Sequence, residues 1–150
     1  MLMIMPTTNV AAIIVAALIP SIIGRLYYGP LLGQPWLDSL GKSADEMKPN
    51  KPIIAYGIAL LMAALIAMSL NMILQLVHKD VNEEGELFFN TFRTFKHGAL
   101  HGALLAISFV VPVIVSHGIF QKHSAKNILL NEVYWTICFA LMAGVLDAWQ

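Results

Sequence analysis

Charge is scarce in this chain, and cysteine nearly absent. Asp, Glu, Lys and Arg make up 12% of its 150 residues, about half the share a soluble domain carries. So little charge leaves too few polar groups to coat a water-soluble fold. Nine basic residues balance nine acidic ones, for a net charge of zero, which removes the basic footprint of a nucleic-acid binder. The lone cysteine, Cys138, excludes an internal disulfide; inside an apolar stretch it reads as a small buried hydrophobe. Met1–Asn9 holds no Lys or Arg, so the positive region that opens a signal peptide is missing. No cofactor is expected.

Apolar residues are what the chain has in excess: 58% of the total, with a mean hydropathy of +0.71. They fall in four blocks, Val10–Leu32, Ile53–Val77, Gly98–Ile119 and Ile128–Trp149. Runs near 20 residues match the hydrocarbon core of a bilayer. Ile53–Val77 carries no charge over its whole length, and Gly98–Ile119 only two histidines. Pro112 is expected to kink the third block, since proline is tolerated in membrane helices. The first block runs on into Tyr27, Tyr28 and Pro30 instead of a small-residue cleavage site, so it reads as a retained span.

The expected fold is therefore all-α: one domain, residues 1–150, forming an integral membrane bundle of four transmembrane helices. Pro35, Pro49 and Pro52 break the first connector, and Gln121–Asn127 is a tight hairpin between the last two spans. In Glu83–Lys96, Phe88, Phe92 and Phe95 recur at helical spacing with Glu86, Asn90, Arg93 and Lys96 around them. That pattern predicts a short amphipathic helix in the interface before the third span, or an extension of that span.

Four spans put both termini on one side. Arg25, Lys42, Lys48, Lys51, Lys122 and Lys126 lie on the opposite side; Lys79, Arg93 and Lys96 lie on the terminal side. The positive-inside bias then places both termini outside, in the plasma (inner) membrane.

Antiparallel spans sort the polar residues into two layers. One holds Arg25, Tyr56, His117 and Glu132. Arg25 and Glu132 are natural partners, as each is costly alone near hydrocarbon. They read either as a register-fixing ion pair or, with His117, as a proton or anion site. The other layer holds Asn71, Gln75, His97, His101 and Asp147. His97 and His101, four residues apart, share one helix face. With Asp147 they make a candidate ligand set for Zn or Fe. The set lacks the glutamate of a metalloprotease helix, because Gly98 follows His97; the other reading is an interfacial His97 and a hydrogen-bonded His101. Two small-residue faces, Ala63/Ala67/Asn71/Gln75 and Glu132/Thr136/Ala140/Ala143/Asp147, are expected to point inward.

The run GRLYYGPLLGQPW, Gly24–Trp36, resembles the signature of the family catalogued as domain of unknown function 1761. Gly24, Tyr27, Tyr28, Pro30, Gly33 and Trp36 are the matching positions. The last block is similar to that family's final helix through Asn131, Tyr134, Gly144 and Trp149. Tyr27 stands where tryptophan is usual, and Leu32 where phenylalanine often precedes the glycine. The resemblance implies a small four-span membrane protein and supplies no activity. The signature reads as an interfacial aromatic anchor with a turn, or as a cap over the Arg25 cluster.

The leading expectation for function is a structural or partner-binding membrane module without an enzyme active site, surrounded by lipid and self-associating through its small-residue faces. The competing expectations are an oligomeric transporter or proton-coupled unit built on Arg25, His117 and Glu132, and a metal-dependent membrane enzyme.

Overall fold

The computed structural model describes residues 9–83, 85–89 and 92–149. The residues before Asn9, on which the reading against a signal peptide rests, lie outside them, as do 84, 90 and 91 in the connector before the third span.

Each span starts from a local cap. Helix α1 (Val10–Leu26) is capped by Asn9, whose side-chain oxygen accepts from the Ala12 N–H. It continues through a π-helical turn, Tyr27–Leu31, in which Gly29 leaves helical geometry. Helix α2 (Gly33–Leu40) ends where Gly41 turns left-handed at φ +64°. Helix α3 (Pro52–Val77) opens on proline, whose missing N–H would have no helical partner there anyway. Thr94 caps α4 (Phe95–Leu105) by accepting from the His97 N–H. A second π-helical turn, Ala106–Val110, joins α4 to α5 (Val111–Phe120). It sits just before Pro112, which has no N–H for the carbonyl four residues back, so a wider turn takes up the mismatch. Ser124 caps α6 (Ala125–Ala148).

The four long helices, Val10–Leu31, Pro52–Val77, Phe95–Phe120 and Ala125–Ala148, hold 22 to 26 residues each. At 1.5 Å per residue they reach about 33–39 Å, enough to cross a bilayer core with some tilt. They are long and apolar enough to span a membrane and suggest a multi-pass membrane protein. Large apolar side chains cover the outside, including Ile53, Leu61, Met68, Met72, Phe109 and Phe120.

The connector before the third span departs from expectation. Lys79–Val81 (β1) pairs antiparallel with Leu87–Phe89 (β2), in place of the amphipathic helix predicted over Glu83–Lys96. The turn explains the change. The Asn82 side chain accepts from the Glu86 N–H, its carbonyl accepts from the Gly85 N–H, and Gly85 takes φ +78°. That geometry favours a hairpin over a helix. The short helix beside the spans is α2 instead, in the proline-rich first connector.

Helix α6 is the hub. It packs on α1, α2, α3, α4 and α5, whereas α3 barely meets α4. Ala12, Ala16, Ala17 and Ala67 draw α1 and α3 close, with Leu70, Leu74, Met142, Ala143 and Leu146 filling the space. The closest approach is between α4 and α6. A Cβ on Gly98 would meet the Ala143 carbonyl oxygen, and one on Gly102 the Phe139 carbonyl oxygen, both within 2.5 Å. Two glycines four apart let the backbones touch, as small residues do between membrane helices. Ala63, Ala67, Asn71, Ala143 and Asp147 do point inward. The buried parts of both faces pack inside the one chain.

Candidate functional site

Four ionisable side chains gather where α3 ends, α4 begins and α6 ends. Asp147, in the last turn of α6, is 1% exposed. Each of its oxygens faces an imidazole: Oδ1 lies 2.6 Å from His78 Nε2, and Oδ2 lies 3.2 Å from His97 Nδ1. His78 is the residue just past α3, and it is 3% exposed. His97 stands in the first turn of α4, where Phe92 meets its ring edge-on. One turn deeper, His101 Nε2 lies 3.1 Å from His97 Nε2, with the two rings nearly perpendicular.

The local sequence explains the assembly. Gly98 and Gly102 each follow a histidine, so the face that lets α4 touch α6 adjoins the one carrying His97 and His101. The same contact sets Asp147 against α4, since its Cβ is among the atoms a side chain on Gly98 would strike. The α3 C-terminus brings His78 from the other side, with its ring 5.1 Å from that of His97. Asn9 ties the start of α1 to this end by donating to the Trp149 carbonyl.

Bond directions assign the protons. An ionised carboxylate only accepts, so against an ionised Asp147 both His78 Nε2–H and His97 Nδ1–H would act as donors. A neutral His97 then presents Nε2 as an acceptor, and His101 Nε2–H fills it. The result is one satisfied chain in which the buried charge is met on both oxygens, as a carboxylate inside a membrane protein requires.

His78, His97 and Asp147 also form a ligand set: one ligand atom from each lies within 4.8 Å of the other two. In a tetrahedral zinc site with bonds of about 2.0–2.1 Å, ligand atoms sit about 3.3 Å apart. The His97–Oδ2 separation of 3.2 Å is close to that spacing, the His78–Oδ1 separation of 2.6 Å is shorter, and the two are made to different oxygens of the one carboxylate. Two imidazoles and a carboxylate suit zinc or iron, and three protein ligands leave a coordination position open.

The structure thus brings together His97, His101 and Asp147 of the expected layer. It adds His78, which the sequence reading passed over as the first residue of a connector. Its position one residue beyond a span, on the same side as His97 and Asp147, was the available signal. His101 stands outside the ligand set, because it meets His97 on the ring edge that faces away from Asp147.

The second expected layer is largely exposed. Arg25 and His117 are exposed, Tyr56 is 68% exposed, and Glu132 is half-buried. No ion pair joins Arg25 to Glu132 among the described residues. A cleft of about 180 Å³ opens at this end beside His117, His123, Asn127, Asn131 and Trp135, and neither Arg25 nor Glu132 lines it.

The signature residues form an interhelical joint. Tyr27 is 6% exposed and donates to the Leu130 carbonyl; Tyr28 donates to Asn131 Oδ1 at 2.7 Å. The Tyr134 hydroxyl donates to the Pro20 carbonyl. Gly24 leaves room for it, since a Cβ there would stand 3.1 Å from that hydroxyl. Trp36 stacks on Tyr28, and Gly33 passes close under the Tyr28 carbonyl. Pro30 lies in the π-helical turn and is exposed. The tyrosines therefore bind α1 to α6, where an interfacial anchor is expected from the sequence.

A family model described as "Protein of unknown function (DUF1761)" matches residues 11–147. No curated protein and no solved structure matches the chain.

Proposed function

The chain belongs to the DUF1761 family, and we propose from its own geometry that it is a membrane module that binds a divalent transition-metal ion of the zinc class. His78, His97 and Asp147 are the ligands. The observation that carries this reading is the Asp147 carboxylate, buried in a span and gripped on both oxygens by imidazoles from two other segments. Such a constellation also satisfies itself by hydrogen bonds alone, as a lock between three segments. Metal content separates the two.

The excess of Lys and Arg on the opposite face, six residues against three, supports placing the His/Asp face and both termini outside the plasma (inner) membrane. The partner-binding reading keeps its place as the role of the bundle around the ion. The transport reading based on Arg25, His117 and Glu132 draws no support from side chains that are exposed or half-buried and form no Arg25–Glu132 ion pair among the described residues.

The test is direct. Protein purified in detergent is expected to take up about one Zn²⁺ or Co²⁺ per chain, and Co²⁺ to develop the intense visible bands of a tetrahedral site. His78→Ala, His97→Ala and Asp147→Asn are each expected to lower affinity by more than about 100-fold, beyond the 10–100-fold that outer-shell changes cost. Zinc at 100 times its Kd should stabilise the fold by about 2.7 kcal/mol. A folded wild-type protein that gives neither the bands nor the thermal shift would sink the proposal.

A further inference from the structure

His101 has no contact with the proposed ion, yet its bond to His97 must reverse when the ion binds. We propose that His101 is the positioning residue of the metal site, a tautomer partner that selects the ligating form of His97. The inference rests on the metal reading above.

His97 and His101 meet through the same atom, Nε2 to Nε2 at 3.1 Å, so one nitrogen must donate and the other accept. Without metal, His97 spends its proton on Nδ1 toward Asp147, and Nε2 accepts. His101 must then carry its proton on Nε2. With metal, His97 Nδ1 becomes the ligand and gives up that proton. A neutral His97 then bears its proton on Nε2, as ligating imidazoles do when the other ring nitrogen donates to a second group. Two Nε2–H groups cannot face each other, so the His101 proton moves from Nε2 to Nδ1. His78 changes in the same sense, from Nε2–H toward Asp147 to Nε2 on the metal and Nδ1–H. Each imidazole keeps one proton throughout, and no net proton is taken up or released.

Only a group that donates and accepts at one place can serve both states. Histidine does so by changing tautomer, and glutamine by turning its amide. Leucine can do neither. His101 is half-buried, one turn inside α4, with the adjacent Gly102 packed against the Phe139 backbone. The backbone contact holds it beside His97.

The experiment uses full-length protein labelled with ¹⁵N-histidine, titrated with Zn²⁺ alone. NMR reads the protonated nitrogen of each ring. His101 is expected to pass from the Nε2–H to the Nδ1–H form as the site saturates. His101→Leu is expected to weaken Zn²⁺ binding by about 10–100-fold, the range for outer-shell partners, and to blur the Co²⁺ spectrum. His101→Gln is expected to bind within about threefold of wild type, a rescue that packing alone does not predict. Zn²⁺ binding with an unchanged His101 tautomer, or with His101→Leu as tight as wild type, overturns this inference and leaves the metal reading standing. No binding in wild type overturns both.

Discussion

Asp147 is the residue on which the most depends, because a carboxylate with 1% exposure has no water to fall back on. His78 and His97 supply the missing solvation, and the same two atoms supply the metal set. Tyr134 has the opposite character: its hydroxyl ties α6 to the Pro20 carbonyl, at the far end from the His/Asp layer. Tyr134→Phe is expected to lower unfolding stability by about 1 kcal/mol while leaving Zn²⁺ affinity unchanged. Thermal unfolding in detergent beside a zinc titration checks both halves. His97, His101 and Asp147 were legible in the sequence because helical spacing and antiparallel spans fix depth and, within one helix, face. His78 was not, since a residue just past a span has no periodicity to aim it. Pairing Arg25 with Glu132 rests on their positions along antiparallel spans, which say nothing of the direction each side chain takes around its helix.

At the level of elements, the α4–α6 crossing decides whether the site exists. Gly102 lets the α4 backbone rest on the Phe139 carbonyl. Gly102→Val is expected to cost about 1–3 kcal/mol from overpacking and to weaken Zn²⁺ binding, because His97 moves off Asp147. Gly57→Ala on α3 is the control: nothing lies within 4 Å of the added carbon, so about 0.5–1 kcal/mol of stabilisation from helix propensity is expected. Thermal unfolding of the two variants should move in opposite directions, and the Co²⁺ spectrum should change in Gly102→Val alone. The His-Gly pair repeated at 97–98 and 101–102 is a readable sign of this crossing. The hairpin of β1 and β2 shows a different limit. Phenylalanines at helical spacing favoured a helix there, but the Asn82 side-chain bond and the left-handed Gly85 close a turn that a helix cannot contain.

Across the whole molecule, charge bias and span count give an orientation open to labelling. Cys138 is fully buried, so cysteines introduced at exposed lysines report alone. A membrane-impermeant maleimide on intact cells is expected to label Lys79→Cys and to spare Lys48→Cys until the membrane is opened. The reverse pattern places the His/Asp face inside. The polar helix is the central one: α6 carries Asn127, Tyr134 and Asp147, all buried, while the more apolar α3 lies at the rim. That arrangement follows from the solvent. A helix with polar groups gains most from protein neighbours, and an apolar one loses nothing facing lipid. The sequence by itself determined four long apolar helices, with ends within three residues of those observed, and the all-α class, because apolar length and the exclusion of charge are read along the chain. Only the tertiary structure decided which faces meet. Helix rotation depends on backbone contact at Gly98 and Gly102, on π-helical turns that break the 3.6-residue period, and on the end of α3, which sets His78 against Asp147 and His97.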